Sequence, residues 1–164
     1  MYSIKSEYTT VRRRLDEIEQ WALPSERFVF SVFLMEKLLR RTLVQLVVSA
    51  GFTTEEAFRI VKEMSGVERV GQNWRRYDPH GRTLVAVIGN ATWQIVQQSA
   101  TRRNELVHGS DHRSELSYKR QMRRLLQALD GIKDSLDATY GYSGWRGMQT
   151  RDATALHRDP KVRV

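Results

Sequence analysis

The sequence predicts an all-α protein, an up-and-down bundle of four to five helices in one domain. Apolar residues recur at helical spacing along most of the chain, and residues that stop and start helices stand between the periodic stretches. With 164 residues, 40% of them hydrophobic, the chain is long enough for one core and short for two.

Tyr8, Val11, Leu15, Ile18 and Ala22 trace the first helix, which Pro24-Ser25 ends while opening the second. The second runs over 25–50 and stops at Gly51. From Phe28 to Leu39 it is apolar on nearly every side, so it is either the central buried helix or one that faces both the core and another subunit. Ser31, Glu36, Lys37, Arg40, Arg41 and Gln45 interrupt it too often for a membrane span. Glu36 stands one turn from Arg40, its expected ion-pair partner; the alternative partner is an active-site arginine. Thr53 and Glu56 have capping-box spacing and open a short helix carrying Ala57, Phe58, Ile60, Val61 and Met64.

The period then fails over 66–82, where Gly66, Gly71, Asp78-Pro79 and Gly81 predict a connecting loop. The loop carries Trp74, Arg75, Arg76 and Tyr77, a set suited to stacking on bases and holding phosphates. The plainer reading is a loop whose Trp74 packs over the core. The next helix is expected over 83–108, with Leu84, Ile88, Ala91, Ile95, Ser99 and Leu106 on its core face. Asn90, Gln94, Gln97, Thr101, Asn104 and His108 form a second stripe, and no charged residue occurs from Thr83 to Thr101. An uncharged polar stripe suggests a face packed against another helix or subunit, the alternative being an ordinary neutral solvent face. Ser110 or Asp111 caps the last helix, whose seam is Tyr118, Met122, Leu125, Leu129, Ile132 and Leu136. It ends near Tyr140-Gly141, dividing a helical domain over 1–140 from a basic tail over 141–164, flexible or docking.

The net charge of +8 and pI near 10.1 point to a polyanionic partner. Cysteine is absent, which excludes disulfides and thiolate chemistry. The first residues lack the apolar core of a signal peptide and soon meet Arg12-Arg13-Arg14, so a cytoplasmic location is expected.

Chemistry concentrates in Arg103-Asn104-Glu105-Leu106-Val107-His108-Gly109. Arginine holds phosphate by a two-pronged contact, and histidine exchanges protons near neutrality. On a regular helix Asn104 and His108 share a face, while Arg103 and His108 point about 140° apart. One straight helix cannot aim both at one phosphate. A break at Gly109, or a second copy of the motif across a two-fold axis, is required. His108 and His112, with Asp111 between them, have a metal-ligand spacing, but the stop and cap between them separate the pair.

This run, together with the apolar stretch from Arg27 to Leu39, resembles the HEPN superfamily, whose signature is an arginine, a polar residue, three residues and a histidine. The resemblance implies a HEPN-like two-fold homodimer and a metal-independent endoribonuclease in which a ribose 2′-hydroxyl attacks its own phosphodiester. In it His108 is general acid or base, Arg103 holds the scissile phosphate, Asn104 orients the imidazole or touches the phosphate, and Arg102 adds attraction without chemistry. Arg75, Arg76 and Trp74 are candidate RNA contacts. No cofactor or metal is implied. Many family members are toxins held by a cognate antitoxin protein or effectors of phage defence. One subgroup carries a tyrosine two residues after the histidine, the target of a nucleotidyltransferase; here Ser110 stands there, which leaves that partnership in doubt. The reading from another class is a non-catalytic dimeric helical module that binds RNA or protein.

Overall fold

The computed structural model describes residues 8–18 and 22–144. Among them seven α-helices follow one another: α1 (Tyr8–Glu17), α2 (Pro24–Ser49), α3 (Thr54–Lys62), α4 (Gly66–Tyr77), α5 (Leu84–Ile88), α6 (Asn90–Val107) and α7 (Glu115–Tyr140). The protein is all-α over these residues, and no helix in them is long and apolar enough to cross a membrane.

α2 is the central helix, with α7, α4, α3 and α6 packed around it. Phe28, Val32, Met35, Leu38, Leu39, Leu43, Leu46 and Val47 are fully buried, each contributing about 1.5–3 kcal/mol by leaving water. Hydroxyls enter this core because the preceding turn accepts their protons: Ser31 Oγ donates to the Arg27 carbonyl at 2.8 Å and Thr42 Oγ1 to that of Leu38 at 2.9 Å. Buried Arg27 donates to the Leu15 carbonyl at 2.9 Å and ties α1 to α2. The predicted seam of α7, from Tyr118 to Leu136, is buried throughout. α2 and α7 begin side by side: Ser25 donates its N–H and hydroxyl to the Glu115 carboxylate at 2.9 and 2.8 Å, and the Phe28 and Tyr118 rings lie 5.5 Å apart. The capping box of α3 forms, with the Glu56 N–H donating to Thr53 Oγ1 at 3.2 Å and the Thr53 N–H to Glu56 Oε2 at 2.8 Å.

Three expectations are corrected. Residues 66–77 form α4 instead of a loop, and Val67, Val70, Trp74 and Tyr77 are its buried stripe. Glycine is a poor helix former, which hid this period, but Gly71 is there for packing: a Cβ would stand 2.6 Å from the Trp93 ring. The helix expected over 83–108 is two, broken at Gly89 with φ +84°. The break turns the core face of α6 to Val96, Ser99 and Ala100, leaving Ala91 exposed. The N-cap position of α7 is Ser114, which makes no side-chain cap bond, and Ser110 and Asp111 are engaged in the turn before it. Of the two expectations for the chain past residue 140, flexible or docking, its first residues dock. Tyr142, Ser143 and Gly144 are buried, and a Cβ on Gly144 would meet the Leu38 carbonyl at 2.7 Å. The rest of the tail, from Trp145, lies outside the described residues.

Asp78 holds the turn after α4. Its carboxylate accepts from the His80 and Arg82 N–H groups at 2.8 and 3.0 Å, from the Arg82 guanidinium at 3.1 Å and from the Tyr140 hydroxyl at 2.5 Å. Tyr140 accepts in turn from Trp74 Nε1 at 2.9 Å. Burial alone would raise the pKa of Asp78, but the bonds from Arg82, Tyr140 and the backbone outweigh it and hold the group below its usual value. A depressed native pKa stabilises the fold above pH about 4, and that contribution is lost as pH falls through the native value. Asp78→Asn should cost about 2 kcal/mol at neutral pH and less at about pH 3, read from urea midpoints of variant and parent at both pH values. A cost that stays constant into acid would show that the charge plays no part.

Candidate functional site

The site is built at the C-terminal end of α6, where adjacent arginines leave on either side of the buried face formed by Ser99 and Ala100. Arg102 donates to Gln121 Oε1 at 2.9 Å, and Gln121 donates to Ser99 Oγ at 3.1 Å, so Arg102 ties α6 to α7. Arg103 turns the other way and meets Glu36 on α2, Nη2 to Oε1 at 2.5 Å. Both side chains are largely buried, 29% and 16% exposed. The Arg103 Nε is buried and makes no hydrogen bond among the described residues.

Glu36 is thus the partner of the motif arginine, and the expected pairing with Arg40 does not form. Arg40 instead donates to the Val61 and Met64 carbonyls at 3.1 and 2.5 Å, closing the end of α3. Arg103 and Glu36 share a cleft of about 590 Å³ with Asn104, Thr101, Gln97 and the first turn of α4. Ser65, the N-cap of α4, makes no side-chain cap bond, so that turn adds the partial positive charge of a helix start to the arginine. Glu68 offsets part of it and accepts from Gln97 at 3.4 Å.

His108 is the C-cap of α6. Gly109, at φ +71°, ends the helix: its N–H donates to the Leu106 carbonyl at 3.1 Å, and the Ser110 N–H reaches that of Glu105 at 2.9 Å. Arg113 braces the turn by bonding Glu105 at 2.7 Å and Asp111 at 2.6 Å. The imidazole is exposed, has no hydrogen-bond partner among the described residues, and does not line the cleft of Arg103. Within one chain the structure brings Arg103 and Asn104 together and leaves His108 outside. The break at Gly109 falls after His108 and leaves that separation in place.

Of the polar stripe, Gln97, Thr101 and Asn104 line the cleft beside the first turn of α4, while Asn90 and Gln94 are exposed. Trp74, expected as a stacking residue, is fully buried against the Tyr140 ring and cannot reach a base. Arg75 and Arg76 are exposed on α4, pointing about 100° apart, and Arg76 lines a cleft. Arg69, which the sequence reading missed, lines the Arg103 cleft. The helical spacing of Val67, Val70, Trp74 and Tyr77 was the signal that puts it on an outward face. Asp111 bonds Arg113 and Tyr118 instead of standing between two histidines, and no cluster of three metal-binding side chains occurs among the described residues.

No family model, curated protein or solved structure matches the chain.

The Glu36–Arg103 pair can be tested by a double-mutant cycle with Glu36→Gln and Arg103→Gln, read by urea unfolding. A coupling of about 1 kcal/mol is expected for a partly buried charge-assisted bond. Strict additivity would mean that the pair does not form in solution.

Proposed function

We propose that the chain is a metal-independent endoribonuclease of the kind its motif resembles, acting as a two-fold homodimer. One observation carries the reading: Arg103 is held in a polar cleft beside Asn104, while His108, four residues further, stands exposed and unpaired at the helix end. A second copy brought against this end supplies the imidazole that one chain lacks at its own arginine. Exposed Phe30 and Phe33, 48% and 55% accessible on the α2 surface near Glu36, and exposed Val107 offer apolar area for that contact.

In the proposed reaction the ribose 2′-oxygen attacks the adjacent phosphorus and the bond to the 5′-oxygen breaks, leaving a 2′,3′-cyclic phosphate and a 5′-hydroxyl. His108 of the second copy takes the 2′-hydroxyl proton while the leaving oxygen takes one from water, a transfer worth on the order of a hundredfold to ten-thousandfold. Arg103 stabilises the charge that builds on the phosphoryl oxygens, and Glu36 sets its direction. Asn104 touches the phosphate or steers the imidazole. The net charge of +8 draws the substrate in. Such an activity suits a toxin restrained by an antitoxin protein, or a phage-defence effector, in the cytoplasm. One observation favours a non-catalytic RNA-binding module instead: the Glu36 carboxylate already occupies the arginine.

Total RNA and transfer RNA incubated with the protein in excess chelator should yield fragments ending in 2′,3′-cyclic phosphate. Arg103→Ala and His108→Ala should each abolish them while circular dichroism and dimer mass stay unchanged. Full cleavage by either folded variant sinks the assignment, loss of parent cleavage in chelator points to a metal, and intact RNA that shifts in a gel selects the binding module.

A further inference from the structure

Arg69 stands apart from the arginines that serve the fold. Arg12, Arg40, Arg82, Arg102 and Arg113 each bond an acceptor within the protomer. Arg69 is exposed, and its guanidinium meets no acceptor among the described residues. It also borders two clefts. One is the cleft of Arg103; the other, of about 400 Å³, lies between the α2–α3 turn, the end of α3 and α4. Asn73, Arg76, Phe52, Tyr77 and Glu63 help to line this second cleft.

Helix geometry puts Arg69 and Arg76, seven residues apart, within about 20° of each other and about 10 Å apart along α4, with Asn73 between them. The Arg76 guanidinium sits 5.7 Å from the centre of the Tyr77 ring, which holds this cation against the cleft wall. Glu63 is the single acid in the lining. We propose that the second cleft is a track for the phosphate backbone of single-stranded RNA, entered from the Arg103 cleft across Arg69. The proposal rests on RNA being the ligand of the Arg103 site, not on its cleavage.

A single strand fits better than a duplex because the path turns from one cleft into another, and a duplex is stiff over far longer distances, about 150 base pairs. The contact is to phosphates and tolerant of sequence. Tyr77 is buried and covered by Arg76, so its ring offers no free face to a base. Arg75 points elsewhere on α4 and is outside the track.

The test is fluorescence anisotropy with a labelled single-stranded RNA, in a His108→Ala background that prevents turnover, over a series of salt concentrations. Arg69→Gln/Arg76→Gln should weaken binding roughly tenfold at low salt and flatten the slope of log affinity against log salt by about 1.4, the value for two phosphate contacts on a single strand. Arg69→Lys/Arg76→Lys should recover most of the loss. Arg120→Gln/Arg123→Gln removes the same charge from the exposed face of α7 and should change neither quantity. Equal losses in the two glutamine pairs overturn the track and leave only diffuse attraction. No binding by the His108→Ala parent overturns the track together with the RNA reading. Track-dependent binding by a protein whose wild type cleaves nothing upholds the track and removes only the ribonuclease assignment.

Discussion

Burial of α2 on almost all its sides is the constraint from which the rest of the architecture follows. A helix with apolar side chains all around cannot lie at a surface, so other helices have to cover it, and α7, α4, α3 and α6 do so. Its polar groups find acceptors inside the fold, as for Ser31 and Thr42 on the preceding carbonyls and Arg27 on that of Leu15. Where covering helices leave a gap, α2 shows Phe30, Phe33 and Glu36. The carboxylate that bonds the motif arginine is therefore set by the most rigid element of the protein, and the candidate site is anchored to the core through it.

The polar interactions divide by location. In the interior, Trp74, Tyr140, Asp78 and Arg82 form a connected set that closes the α4–α5 turn and docks the end of α7, with every main member bonded. Tyr142 and Gly144 extend that docking onto α2. At the surface, most arginines named in the fold cap carbonyls or pair with carboxylates, while Arg69 and the outer side of α4 do not. Net charge alone carries no address; the fold decides which cations are paired and which face outward.

The site itself is a compromise between two geometries. A helix that carries arginine and histidine five residues apart must point them away from each other, and the glycine turn after His108 does not reverse this. What one chain assembles is a polar cleft that holds the Glu36–Arg103 pair beside Asn104. Proton transfer at the same phosphate needs the imidazole of another chain, which links the proposed chemistry to association of the α2–α6 end.

By itself the sequence determined the helical class, the extent and burial of α2, the capping box of α3, the seam of α7 and the helix stop at Gly109, because each depends on contacts within a few residues. The motif and the 140° conflict within it were legible for the same reason. Tertiary structure alone decided that Gly71 lies in a helix, where the Trp93 ring fills the space a Cβ would take. It decided that Trp74 belongs to the core, that Glu36 bonds Arg103 while Arg40 caps α3, and that Arg69 joins two clefts. These outcomes turn on which side chains from distant segments meet. Spacing along the chain carries no information about that until the helices are packed.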